Sequence, residues 1–276
     1  MTQRKVAVVT GSNKGIGFGI VRGLCKKFDG DVYLTARDET RGQEAVASLE
    51  KEGLKPKFHQ LNIDDLASIQ RLRDFLKSTY GGLDVLVNNA AIAYKAAATE
   101  PFSEQAEVSC RVNVFGVINT CNELFPLLRP HARVVHVSSF VAKMVTDKNA
   151  TVKKIFGDSK LTQEGLIDLV NDFVKCAKAG NHEAKGYANT AYGMTKVAVS
   201  ALTGIQQQQF NKDPREDIIV NSADPGYVNT DMSSGKGKKT IDQGAIEPLA
   251  CALLPANVGA PKGETITSGT KVLPVF

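Results

Sequence analysis

No apolar run approaches the ~18 residues that crossing a bilayer requires, which excludes a transmembrane helix. The opening Met1-Thr2-Gln3-Arg4-Lys5 lacks the apolar core of a secretory signal, so a cytoplasmic protein away from membranes is expected. Cysteine is sparse and odd in number: Cys25, Cys110, Cys121, Cys176 and Cys251 are scattered without metal-ligand spacing. That disfavours a disulfide framework and leaves reduced, partly buried thiols. No His/Cys/Asp cluster suggests a metal, and none is assigned. Charge of one sign is also missing, since the net +5 arises from 34 basic residues interspersed with 29 acidic ones. Only Lys236-Gly237-Lys238-Lys239 forms a basic cluster, which a solvated loop explains, and nucleic acid is not an expected partner. Internal repeats and dividing linkers are absent too, so residues 1–276 are expected to form one α/β domain with a well-buried core.

What is present begins with a short β-branched run, Val6-Ala7-Val8-Val9, followed by Thr10-Gly11-Ser12-Asn13-Lys14-Gly15-Ile16-Gly17 and the helix-periodic Ile20, Val21, Leu24 and Cys25. The pattern predicts strand, glycine turn and helix. Gly11, Gly15 and Gly17 allow a tight turn and close backbone approach, so a pyrophosphate fits on the free amides at the helix start. The next strand, Val32 to Thr35, ends in Ala36-Arg37-Asp38, the position that selects the nicotinamide cofactor. Ala36 removes the carboxylate that would accept from an adenosine ribose, and Arg37 supplies a guanidinium suited to a 2′-phosphate. Lys14 adds a second positive charge, so NADPH is the expected cofactor; Asp38 dissents only if it points inward.

The alternation continues with a helix over 40–51, a strand near 58–61, a helix over 66–80 and a strand over 84–87, which implies a parallel sheet with helices on both faces. Ligands gather outside the carboxyl ends of such strands, which places Asn89 toward the cofactor and Asn88 as a backbone brace. One helix is expected from about Ser103 to Leu128, with Asn113 unusual in its interior. A fifth strand, Arg133 to Val137, ends in Ser138-Ser139, and alternation lets only one serine face the crevice; Ser139 is favoured. Helical periodicity predicts an inserted helix over 161–178, a sixth strand over 217–222, a mobile lid over 233–239, a helix near 241–254 and a short strand about 264–267.

The chemistry centres on Ala191-Tyr192-Gly193-Met194-Thr195-Lys196, where Tyr192 and Lys196 stand four apart and share one face of a helix. An ammonium about 4 Å from the phenol, at an effective dielectric of about 20, favours the phenolate by roughly 4 kcal/mol. A tyrosine that ordinarily titrates near ~10 is thereby expected to become a workable general acid.

Taken together, these stretches resemble the short-chain dehydrogenase/reductase family, in the family's order and over nearly the whole chain: the glycine turn, Asn88-Asn89-Ala90, Asn113, Ser138-Ser139, Tyr192 to Lys196, and Asp224-Pro225-Gly226-Tyr227-Val228-Asn229-Thr230. The resemblance implies a Rossmann-type doubly wound sheet of about seven strands. It implies Tyr192 as proton donor, Lys196 as the residue that lowers its pKa, Ser139 as donor to the substrate oxygen and Asn113 as anchor of a proton relay. By the same resemblance Gly11, Asn13, Lys14, Gly15, Ile16, Gly17, Arg37, Asn62, Ile63, Asn89, Tyr192, Lys196, Pro225, Gly226, Val228 and Thr230 meet the cofactor. Ser139, Val141 and Tyr227 meet the substrate.

Ala36-Arg37 and the long segment between Ser139 and Tyr192, an insertion at about 142–188, resemble the monomeric NADPH-dependent carbonyl reductases. In that subgroup the added helix covers the surface that other members use for tetramer assembly, which implies a monomer. The implied activity is NADPH-dependent reduction of ketones, aldehydes or quinones. An oxidising hydroxysteroid or prostaglandin dehydrogenase and a non-catalytic NADP(H)-binding scaffold or sensor are the alternatives. Ala91 stands where the family usually has Gly, and Asn62 where an Asp often meets adenine. Tyr94-Lys95-Ala96 and Gln105 loosely resemble positions that hold glutathione conjugates in some carbonyl reductases.

Overall fold

A computed structural model describes residues 4–95, 97–269 and 271–276. Met1, Thr2 and Gln3 of the leader reading, and Ala96 of the glutathione-site match, lie outside the described residues. The first half of the chain alternates β1 (Val6–Val9), α1 (Gly15–Lys27), β2 (Asp31–Ala36), α2 (Glu39–Lys51), β3 (Lys57–Gln60), α3 (Leu66–Tyr80) and β4 (Leu83–Asn88). β1 is buried at every residue, as a central parallel strand covered on both faces must be. Its alternation assigns the faces: Ala7 and Val9 join a core with α1 and α2, whereas Val6 and Val8 join one with Ile69, Leu72 and Leu76 of α3. Asp38 and Asp65 cap α2 and α3 through the Arg41 and Ala67 amides, and left-handed Gly81 ends α3.

The second half contributes α4 (Phe102–Cys110), α5 (Gly116–Leu124), β5 (Leu128–Val137), α6 (Phe140–Lys148), α7 (Ala150–Phe156), α8 (Gln163–Lys178), α9 (Ala191–Phe210), β6 (Ile219–Ala223), α10 (Ile241–Gly244), α11 (Ile246–Ala252), β7 (Thr265–Thr267) and β8 (Lys271–Val272). Among the described residues, eight strands form one sheet in the order β3-β2-β1-β4-β5-β6-β7-β8. Every pairing is parallel except β7 with β8. The chain leaves β1 in one direction for β2 and β3 and returns on its other side through β4, β5 and β6. A crevice therefore opens at the carboxyl ends of β1 and β4.

The structure corrects four expectations. The strand count rises from about seven to eight because β8 is a two-residue antiparallel edge, too short to carry a period. The helix expected from Ser103 to Leu128 is broken by a π turn over Arg111–Phe115, and Phe125–Leu127 forms a 3₁₀ turn with Pro126 inside it. The insertion holds more than one helix, since α7 precedes α8 and α6 extends into it. Its core is helical: Leu166, Val170 and Phe173 of α8 pack with Ala106 and Cys110 of α4 and with Val197, Ala201 and Leu202 of α9. Burying each of these large side chains contributes about 1.5–3 kcal/mol. Finally, the helix expected over 241–254 is divided at Ala245 into α10 and α11.

Candidate active site

The glycine turn connects β1 to α1. Gly11 and Gly15 take positive φ values of 58° and 59°, in the left-handed region that favours glycine. A Cβ on Gly17 would lie 2.5 Å from Asn89 Nδ2, so the turn and the loop after β4 are packed together. Asn89 causes that packing: its amide donates to the carbonyls of Thr10 and Gly11 at 3.0 and 2.9 Å. The side chain expected to face the cofactor thus braces the turn that would receive it. Asn88, expected to brace backbone, instead contacts Cys121 Sγ and His136 Nδ1 at 3.4 and 3.2 Å.

The start of α1 has no side-chain cap, whereas α2, α3, α6, α7, α8, α9 and α10 all have one. Uncapped amides behind a glycine turn, with the helix dipole aligned, suit a phosphate group. Asn13, Gly15 and Ile16 are half-buried there, and Lys14 is exposed, its ammonium 2.7 Å from Asp231. Arg37 is exposed at the end of β2. Asp38 does not dissent, because its carboxylate accepts from Arg41 N at 2.9 Å. Ile63 is buried, and the half-buried Asn62 uses Oδ1 to accept from Asp64 N at 3.2 Å. These residues fit a dinucleotide with a phosphorylated ribose: glycine backbone, free amides and two cations.

Across the crevice, α9 begins at the Thr190 cap and carries Tyr192 and Lys196 on one face. Lys196 is buried; its ammonium donates to Val137 O at 2.7 Å and sits 5.5 Å from the Tyr192 ring centroid. Burial pushes the Tyr192 phenol up to about 12; a hydrogen bond with the Ser139 hydroxyl opposes the rise and the Asp224 carboxylate adds to it. Burial pulls Lys196 down to about 8. The expected lowering of the phenol is therefore not what this arrangement gives, because desolvation outweighs the Ser139 hydrogen bond and the Lys196 ammonium is committed to a backbone carbonyl.

Ser138 is buried and bonded to Ser200 Oγ at 2.8 Å, which turns it into the sheet–helix interface. Ser139 is half-buried beside Tyr192 and caps α6, accepting from Val141 N at 3.2 Å. Asn113 lies in the π turn, a helix irregularity common at functional sites. Its amide is shared between Ile92 N and O, at 2.8 Å each, and Thr195 Oγ1 at 3.2 Å. It thereby ties the loop after β4 to α9.

The loop after β6 closes the crevice. Asp224 is buried, accepting from Gly226 N and Thr267 Oγ1 at 3.0 Å each. Pro225 and Val228 are buried, Gly226 has φ 73° and Tyr227 is exposed. Thr230 faces Gly15, where an added Cβ would come within 3.4 Å of its methyl. Residues 233–239, expected as a mobile lid, are tied back through a bridge between Val228 and Lys239 and a bond from Lys238 N to Tyr227 O. Ala91 and Tyr94 are half-buried, and Gln105 donates to Glu100 O at 2.8 Å.

The family model described as short chain dehydrogenase matches residues 5–164. The chain is a short-chain dehydrogenase. It is 50% identical over 264 residues to carbonyl reductase (NADPH) 1 of Bos taurus, a match covering 95% of each protein. It is 47% identical over 264 residues to carbonyl reductase (NADPH) 3 of Mus musculus, again over 95% of each. Among solved structures, salutaridine reductase of Papaver somniferum aligns with TM-score 0.84 at 33% identity, covering 95% of this chain and 99% of that one.

Sequence reasoning missed two residues that shape the site of this short-chain dehydrogenase. Thr195 links Asn113 to α9, and its hydroxyl donates to Tyr192 O at 2.7 Å. Asp231 faces Lys14 across the crevice. Thr195 lies inside the quoted Tyr-to-Lys stretch and Asp231 directly follows the quoted Thr230, but nothing in their spacing marks either. The five cysteines are free thiols, four buried and Cys25 half-buried. Among the described residues, no group of three or more His, Cys, Asp or Glu is placed to hold a metal, and no helix is long and apolar enough to cross a membrane.

Proposed function

We propose that this short-chain dehydrogenase is an NADPH-dependent carbonyl reductase that converts ketones, aldehydes or quinones to alcohols. The observation that carries the reading is the arrangement on α9: the Tyr192 phenol hydrogen-bonds the Ser139 hydroxyl, and the Lys196 ammonium sits 5.5 Å from its ring. When bound, NADPH supplies the hydride that adds to the carbonyl carbon. Tyr192 gives its proton to the carbonyl oxygen, and Ser139 donates a hydrogen bond to that oxygen. Lys196, one helical turn on, holds positive charge against the phenolate left behind. Asn113 sets the position of the helix through Thr195 and of the loop after β4 through Ile92.

The glycine turn, with Gly11, Asn13, Lys14, Gly15, Ile16 and Gly17, takes the pyrophosphate, and Arg37 with Lys14 takes the 2′-phosphate. Asn62 and Ile63 meet the adenine, and Pro225, Gly226, Val228 and Thr230 meet the nicotinamide end. Asn89 acts mainly by shaping the turn. Ser139, Val141 and Tyr227 line the substrate side. The relatives' names, carbonyl reductase (NADPH) 1 and 3, support the same reaction and cofactor.

A panel of quinones, aldehydes, steroids, prostanoids and a glutathionyl carbonyl, run with NADPH and NADH and in reverse with NADP⁺ plus alcohol, tests the reading. NADPH with quinones or aldehydes is expected to be fastest. Tyr192→Phe is expected to keep NADPH affinity and lose turnover by about 10³-fold or more; normal turnover in that variant sinks the assignment. We further read residues 1–276 as a single domain with its insertion at about 142–188, working in the cytoplasm as a monomer. The packing of α8 on α4 and α9 supports the monomer, and a tetrameric sedimentation mass at micromolar concentration would reject it.

A further inference from the structure

Helix α11 breaks the usual apolar-inside pattern: Ile246 is 51% exposed, whereas its neighbour Glu247 is 3% exposed. Inversions of this kind, without an evident packing gain, concentrate at functional sites. Among the described residues the Glu247 carboxylate is also incompletely satisfied. Oε1 accepts from Gly269 N at 3.2 Å and lies 3.8 Å from Lys239 Nζ, while Oε2 has no hydrogen-bond partner among the described residues. Lys239 carries the effect onward. Its ammonium donates to Pro225 O at 3.2 Å and lies against Gly226, where an added Cβ would come within 2.9 Å of Nζ. Its backbone holds the same loop, Lys239 N donating to Tyr227 O at 3.0 Å and Asn229 N donating to Lys239 O at 2.9 Å. From the opposite side, Asp224 accepts from Gly226 N. The Pro225–Gly226 turn is thus gripped between two charged side chains, and the cation among them is steered by a buried carboxylate. A buried carboxylate holds a nearby ammonium more firmly than an exposed one does, because solvent screens the pair less.

We propose that Glu247 and Lys239 are positioning residues that set the height of the Pro225–Gly226 turn against the nicotinamide end of the cofactor. The inference rests on the reading of that turn as a nicotinamide contact. It concerns orientation and not the adenine end, which fixes the measurement. Calorimetric affinities for NADPH and for 2′,5′-ADP, a fragment with the 2′-phosphate and no nicotinamide, are compared; the chain has no tryptophan to report binding by energy transfer. Lys239→Met is expected to weaken NADPH about tenfold and leave 2′,5′-ADP unchanged, Lys239→Arg to recover most of the loss, and Glu247→Gln to show the same pattern more weakly. A purely structural role lowers both affinities together, and no role lowers neither; either result overturns the proposal. Should Lys239→Met fail to fold, the ratio in Glu247→Gln decides. Wild-type protein that binds neither probe sinks the underlying cofactor reading, whereas normal wild-type binding with an unshifted ratio sinks only the positioning role.

Discussion

The site uses its basic groups in two opposite ways. At the glycine turn and the end of β2, Lys14 and Arg37 are exposed, and Lys14 is paired with an exposed Asp231. On α9 and β5, Lys196 and His136 are almost wholly buried, Lys196 bonded to Val137 O and His136 Nε2 lying 2.9 Å from Gln206 Oε1. Exposed cations gain little from any one fixed pairing, so they remain available to a ligand phosphate. Burial of a basic group fixes its position but costs stability, because leaving water penalises the charged form and pulls both Lys196 and His136 down. On the proposed function, the difference separates affinity from catalysis within one crevice.

Lys196→Met sharpens the contrast most. Turnover is expected to fall about 10²–10³-fold, while unfolding free energy rises by about 1–2 kcal/mol as the buried ammonium is removed. The sign follows from its depressed value: between about 8 and the ordinary 10.5 the unfolded chain binds the proton that the folded chain releases, so wild-type stability rises with pH across that window. Chemical denaturation from pH 8 to 10 checks it, and a variant that loses both activity and stability breaks the comparison.

The next effect belongs to His136, pulled down to about 4 by burial, with Gln206 opposing and the Lys196 charge adding to the fall. Asn88 from β4 also faces its ring, and Cys121 of α5 lies against Asn88. The unfolded chain gains a proton below 6.5 that the folded chain refuses until about 4, so stability present above 6.5 is lost on acidification. The loss amounts to about 3 kcal/mol at pH 4. His136→Gln is expected to flatten that limb in urea titrations; an unchanged slope removes His136 from the buried pair.

Arg37→Ala gives the smallest effect and the opposite signature. KM for NADPH is expected to rise about tenfold with NADH unaffected, and the loss to shrink at high salt. Equal losses for both cofactors mean that Arg37 does not read the 2′-phosphate.

Much of this was legible in the chain. Val6 to Val9, the glycine turn and the helices over 40–51 and 66–80 are local signals, and local signals survive folding. The Tyr192–Lys196 spacing likewise placed two side chains on one face of α9. The π turn at Asn113 was not legible, because it is associated with contacts to Ile92 and Thr195 that lie 21 and 82 residues away. Nor was the direction of Asn89, which depends on carbonyls of a turn that packs against it only once β1 and β4 pair. Strand β8 escaped because two residues make no period.

By itself the order of residues determined the alternating α/β architecture, the glycine turn, the Arg37 position and which side chains could exchange a proton. The ionisation of those side chains was decided only in three dimensions. Helical spacing argues for a phenol lowered by its lysine, but the packed crevice raises Tyr192 and depresses Lys196, since the loss of water around a group depends on every element that closes over it.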